Sequence, residues 1–284
     1  MNHGADPPLT SPSWQQVSIR FNDYSSAEHT AVAYLGPELT SAETSGLIAS
    51  WFFIRKAPYW RLRFLPAHHS TELDATTLIH QRLDTLRDTG RIASWIETIY
   101  EPEMHAFGGA AAMDLAHHLF HCDSRHILAY LASDRAITSG GHSDQRRELS
   151  ILLCSTLMRG AGQDWYEQGD IWARVTENRT LPSDTPLDRM RSMKSDLRQL
   201  MTVDASPASP LVKENGPLTV ISDWAAAFEE AGKELGDMAR NGTLRRGVRA
   251  VLAHHVIFHW NRIGLPYTTQ CILANVATAV VLGQ

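Results

Sequence analysis

Tyr100–Cys122, YEPEMHAFGGAAAMDLAHHLFHC, marks the point where the character of the chain changes. Ile92–Tyr100 reads as a strand, Glu101–Glu103 as a turn, and Gly108–Gly109 as a backbone-permissive hinge ahead of an amphipathic helix. Upstream the pattern is mixed. Trp14–Phe21 places Val17, Ile19 and Phe21 on one face of a strand, and Ala49–Arg55 with Tyr59–Leu65 reads as a hairpin about Lys56–Pro58. Ser26–Leu35 is expected as a short helix, and Leu73–Arg87 as a longer one with Ile79, Leu83 and Leu86 on one stripe. Downstream nearly everything is helical: Ala110–Cys122, Ser124–Ala132 with Ser124 as N-cap, Asp144–Gly160, Trp165–Glu177, Leu187–Met201, Pro217–Ala239, Leu244–Asn261 and Thr268–Val281. The order predicts an α+β fold, with a mixed sheet in the N-terminal part and a mainly helical C-terminal part.

The chain has 284 residues, enough for a substantial core. Residues 14–284 are expected as a single domain, after a polar, Pro-rich and disordered stretch 1–13. Asp204–Gly216, DASPASPLVKENG, is the best candidate for a flexible linker. Hydrophobic residues make up 43%, and the formal charge is −5, which gives no general reason to expect nucleic acid or membrane as partner. Three widely spaced cysteines suit a reducing compartment. No apolar run reaches membrane-spanning length and the N-terminus lacks a signal-peptide pattern, so the expected location is the cytoplasm.

Three blocks carry residue types suited to chemistry. In YWRLRF, strand alternation puts Trp60, Leu62 and Phe64 on one face and Tyr59, Arg61 and Arg63 on the other. The arginine face either meets an anion such as a carboxylate or is simply solvated. Glu101 and Glu103 follow a strand end, where an acid serves as general acid or base, or else caps the next helix. In HHVIFHWNR, His255, His259 and Arg262 share a helix face at i, i+4 and i+7. Such groups are expensive to bury unless paired or functional. The cluster His117, His118, His121 and His126 lacks the ligand spacing of a zinc site, so no metal is expected.

In the same order, WFFIRKAPYWRLRF (51–64), the 100–122 stretch and FHWNRIGL (258–265) resemble the thiopeptide-type bacteriocin biosynthesis domain, which is also the small C-terminal elimination domain of lanthipeptide dehydratases. The resemblance spans residues 14–265, with residues 140–250 contributing little. It implies catalytic roles for His259 and Glu103, and Tyr267 is a further suitable proton-transfer group. Tyr59, Arg61, Arg63, Tyr100, His105, His255, Asn261 and Arg262 are expected to touch substrate. The implied partner is a modified precursor peptide, a leader followed by a core carrying thiazoles and dehydroalanines. The implied chemistry needs no metal or redox cofactor.

One departure bears on the reaction. Elimination-competent relatives read E-x-x-R-Y-G-G, and here the stretch is Glu103-Met104-His105-Ala106-Phe107-Gly108-Gly109. The cation thought to grip a glutamyl leaving group is absent at 106. The resemblance therefore points to a pyridine synthase, performing a formal [4+2] aza-cycloaddition between two dehydroalanines, closing a macrocycle and expelling water and leader. The rivals are a split glutamate-elimination lyase and a non-catalytic leader-binding partner. Arg20, Arg55, Lys56 and the basic residues of 189–198 are candidates for leader contacts, and Trp51, Trp95, Trp165 and Trp172 for stacking on azoles.

Overall fold

The computed structural model describes residues 13–67, 72–133, 144–183, 185 and 187–283. The expected disordered segment lies, except for Ser13, outside them. The chain forms two compact units, one of residues 1–53 and 57–100, the other of residues 54–56 and 101–284.

The first unit is built on a four-stranded sheet in the order β2-β3-β1-β4, with β1 (Gln15–Arg20), β2 (Ile48–Lys56), β3 (Tyr59–Pro66) and β4 (Ser94–Thr98). Central β1 runs antiparallel to β3 and β4, pairing Val17 with Leu62 and Glu97, and Gln16 with Arg63 and Thr98. The period of two then sorts the side chains. Val17, Ile19, Trp60, Leu62 and Phe64 form a buried apolar face, where Phe53 stacks on Trp60 at 4.7 Å. Helix α3 (Glu72–Asp88) packs on β3 and β4, and the Trp95 indole donates to Asp84 at 3.1 Å. Before the hairpin, α1 (Ala27–Thr30), a π turn (Ala31–Leu35) and α2 (Gly36–Thr44) continue one another, longer than the short helix expected there.

The second unit is helical: α4 (Met104–Phe107), α5 (Ala110–Ala132), α6 (Arg146–Gly160), α7 (Trp165–Glu177), α8 (Leu187–Thr202), α9 (Ser222–Arg240), α10 (Val248–Ile263) and α11 (Tyr267–Leu282). Asp164 and Glu167 close a capping box at the start of α7. Helices α6 and α9 approach each other closely through glycines. A Cβ at Gly160 would meet the Glu229 carbonyl oxygen at 2.5 Å, and one at Gly236 the Ala161 oxygen at 2.9 Å. Residues 204–216 join α8 to α9 inside this unit, with Ala205, Ser209 and Val212 buried.

One expectation is corrected. Ala110–Ala132 is a single helix of 23 residues, not two helices broken at Ser124. Asp123 and Ser124 are both completely buried in its middle, so the polar pair that locally resembles a helix start is instead internal to the bundle.

Candidate functional site

Helix α10 begins after Gly247 and ends at left-handed Gly264, and its apolar positions fix which polar groups turn inward. Buried Val251, Val256, Trp260 and Ile263 anchor it, which forces His255, His259 and Arg262 into the bundle as well, each at most 3% exposed. Their partner comes from α5. The Asp123 carboxylate accepts the His259 Nδ1 proton, 3.0 Å from each oxygen, the Trp224 indole N–H at 2.9 Å and Arg262 Nη1 at 2.5 Å. Burial alone would raise the Asp123 pKa, but the adjacent His259 and Arg262 outweigh it and hold the carboxyl below its ordinary value. Because the carboxylate only accepts, His259 carries its proton on Nδ1; Nε2 is enclosed, without a hydrogen-bond partner. Phe228 closes one side of the ring at 5.0 Å, and the Arg262 guanidinium lies 4.3 Å over the Phe120 ring.

One turn earlier, His255 sits among Phe107 at 4.9 Å and Phe120 at 6.0 Å. Both its ring nitrogens lack hydrogen-bond partners. Burial, with His254 and Arg262 nearby, pulls its pKa down to about 3, so the ring is neutral. Phe107, fully buried, is the hub of this cage, touching His254 at 4.8 Å and Phe258 at 5.0 Å as well. Above the cage, His254 Nε2–H donates to Glu103 Oε2 at 3.0 Å, and this carboxylate is about half exposed. Glu103 thus occupies the N-cap position of α4 without capping it. The guanidinium of Arg246 reaches the Ala106 carbonyl at 2.6 Å.

The sequence-predicted residues fall into separate groups. His259 and Arg262 meet on Asp123, with His255 beside them, and Glu103 joins through His254 and Phe107. His105 is exposed on α4. Asn261 and Tyr267 form a different cluster: Asn261 Oδ1 accepts from Gln270 at 3.1 Å, Arg179 Nε donates to Gln270 at 2.6 Å, and the Arg179 guanidinium lies 5.5 Å over the Tyr267 ring. In the first unit Tyr59 and Arg61 are half-buried, while Arg63 is drawn into the sheet. Its Nε donates to Gln16 at 2.7 Å and its guanidinium lies over Tyr100 at 4.3 Å and Phe52 at 5.2 Å. Trp51 and Trp172 are core residues, at most 1% exposed, and Trp165 carries Arg198 at 5.7 Å over its ring. Among the described residues no group of three His, Cys, Asp or Glu side chains is arranged to hold a metal, and no helix is long and apolar enough to cross a membrane.

Sequence reasoning misses Asp123 and Trp224. A signal for Asp123 is present all the same: Phe120, Asp123 and Ile127 fall at i, i+3 and i+7, an acid on an apolar stripe, which has to find a cationic partner.

The family model for the lantibiotic biosynthesis dehydratase C-terminal region matches residues 14–281. The chain belongs to that family. Three solved structures share the fold of this family member. The tRNA dependent lantibiotic dehydratase MibB from Microbispora sp. 107891 matches 99% of the chain at 17% identity and a TM-score of 0.69. The chain spans only 29% of MibB's length. TsrL matches 95% of the chain and 98% of its own length at 15% identity and a TM-score of 0.62. The pyridine synthase TbtD from thiomuracin biosynthesis does so over the same shares at 13% identity and a TM-score of 0.60. No curated protein matches the chain significantly in sequence. These structures include both a lantibiotic dehydratase and a pyridine synthase, and at 13–17% identity the likeness is one of fold.

Proposed function

We propose that this family member is a thiopeptide pyridine synthase, acting on a thiazole-bearing precursor peptide with two dehydroalanines. The supporting observation is the 106–107 position. Where elimination would need a cation and a Tyr, the chain has Ala106 and a fully buried Phe107 surrounded by aromatic rings and imidazoles. Loss of a charge-assisted partner weakens such a grip by about 1.5–3 kcal/mol.

In the proposed reaction one dehydroalanine reacts as a 2-azadiene, after its preceding amide becomes an imidic acid. Two C–C bonds form, one between the two β carbons and one between the imidic carbon and the second α carbon. Loss of the imidic oxygen as water, then of the leader as its amide, leaves the pyridine. Forming the imidic acid moves a proton from nitrogen to oxygen, and each elimination takes one proton from a ring CH2 and delivers it with the departing hydroxyl or amide. The Glu103–His254 couple, with its half-exposed carboxylate, is an accessible group suited to that work. His259 is 2% exposed, so it acts through its place on Asp123, fixing α10 against α5. Tyr267 is 55% exposed and contributes, in this reading, to holding the peptide, as do His105 and Asn261 of the same unit. Positioning the two alkenes supplies most of the acceleration.

The test is mass spectrometry on a fully dehydrated, thiazole-bearing linear peptide. Macrocycle with released leader amide supports the proposal, and unchanged peptide defeats it. One observation favours glutamate elimination as second reading: Arg246 brings a guanidinium to the backbone of Ala106, where the cation is missing. Loss of glutamate from a glutamylated peptide, abolished by Arg246→Gln, would establish it.

A further inference from the structure

Apart from the histidine network, the second unit holds a cavity of about 410 Å³. Helix α5 lines it through His126 and Ala129, α6 through Leu149, the segment entering α9 through Leu218 and Ile221, and α9 itself through Trp224. Its volume is in the range of sites for small molecules or single large residues. Among the described residues no Lys, Arg, Asp or Glu belongs to the lining, so a charged group would lose its hydration there without gaining a partner from them. Val220, at the edge, is 69% exposed, an apolar side chain left in water.

The polar groups narrow the ligand further. His126 stacks on Trp224 at 5.8 Å with the planes 11° apart, which fixes its ring. Its Nδ1 lies 2.8 Å from the Cys122 carbonyl oxygen of its own helix. A carbonyl only accepts, so Nδ1 carries the proton, and in the neutral tautomer with that proton Nε2 is the acceptor. The other neutral polar side chains of the lining are Gln145, Tyr130, whose hydroxyl donates to Asp144, and Ser133, whose hydroxyl donates to the Tyr130 carbonyl. An apolar void with a fixed acceptor suits a bulky apolar group that brings an N–H, which describes one residue within a peptide.

We propose that this cavity is a recognition subsite for a large apolar residue of the peptide substrate, held by its amide N–H on His126 Nε2. The subsite rests on the reading of the chain as a peptide-modifying enzyme. Its position is informative, because the Trp224 ring that walls it also donates to Asp123, the carboxylate that fixes His259 and Arg262. A residue seated here leans on a member of that network.

The experiment titrates N-acetyl-tryptophan amide into the full chain carrying ¹⁵N-labelled tryptophan. It follows the Trp224 indole N–H resonance, identified by its loss in Trp224→Phe. The subsite predicts a saturable shift, weakened at least about tenfold in Ala129→Trp, which fills the void, and in Val220→Asp, which charges its edge. N-acetyl-aspartate amide should give no shift. Absence of a shift in the unmodified chain, equal shifts in the variants, or equal binding of the aspartate probe overturns the proposal. Should Ala129→Trp fail to fold, the surface variant Val220→Asp decides between the same outcomes, with Val220→Ile as the binding-competent control. The probe contains no dehydroalanine, so it reports the subsite alone. A chain that binds it yet makes no macrocycle keeps the subsite and loses the pyridine synthase reading.

Discussion

Asp123→Asn keeps the side-chain volume at the centre of the second unit and removes one charge. In the native chain three donors converge on the carboxylate: His259 Nδ1, Trp224 Nε1 and Arg262 Nη1. An asparagine offers one oxygen to them and turns an NH₂ toward the rest. Counted as three charge-assisted bonds of about 1.5–3 kcal/mol each, the gross loss is roughly 5–9 kcal/mol, an upper limit because the donors relax. Orphaning a buried ion-pair partner gives the lower figure of about 3–5 kcal/mol, and Arg262 at 1% exposure has little access to water. We expect a loss of about 3–5 kcal/mol, a large share of the roughly 5–15 kcal/mol that holds a domain together. Urea unfolding followed by helical circular dichroism measures it. Asp123→Asn combined with Arg262→Met should recover much of the loss, since the stranded cation is gone. The same carboxyl sets an acid limit. Its folded pKa lies below the unfolded value, so its contribution is complete above the unfolded pKa and disappears as pH falls through the folded one. A penalty under about 1 kcal/mol, the scale of an exposed ion pair, would refute the reasoning.

His255 is neutral with a folded pKa of about 3, against 6.5 for a free imidazole, so acidification from 6.5 toward 3 favours the unfolded chain. His255→Phe should remove up to about 1.4 kcal/mol per pH unit of that slope, read from urea midpoints at several pH values. Gly232→Ala would drive a methyl group into the Leu157 carbonyl oxygen, and we expect about 1–3 kcal/mol of destabilisation in the same assay. His259→Ala should slow macrocycle formation by at least about tenfold while leader capture persists, because it loosens α10 rather than the peptide contacts. Unchanged turnover would remove His259 from the site. Glu103→Gln should lower turnover under saturating peptide without changing urea stability by more than about 0.5 kcal/mol, since the carboxylate is half exposed.

The division into sheet and helical parts is legible in the sequence because period-two and period-3.6 patterns are strong at Trp60–Phe64 and along α10. Element ends differ by a few residues, as at β4, where the pattern predicts Ile92–Tyr100 and Ser94–Thr98 forms. The face shared by His255, His259 and Arg262 is readable from spacing. Their surroundings are not, because spacing says which residues travel together and not what they meet. Asp123-Ser124 resembles a helix start, since local preference favours both residues at caps. The bundle overrides that preference by supplying partners from α9 and α10. Strand alternation lets Arg63 face an anion, and it is instead held by Gln16 and two aromatic rings. Both kinds of surrounding satisfy a guanidinium, and a single strand carries no sign of which it will find.

The glycine pair at the head of α5 has a reach beyond its own turn. Gly108 and Gly109 hold φ at 94° and 110°, a Cβ on them would strike Leu244 and Arg245, and Arg245 N–H bonds to the Gly108 carbonyl at 2.7 Å. The segment leading into α10 is therefore mortised against this turn, backbone on backbone. A side chain added at either position would tilt the helix that carries the histidines without approaching one of them. Such a lesion would imitate an injured catalyst, and only a normal response to replacing the histidines' own neighbours would tell the two apart.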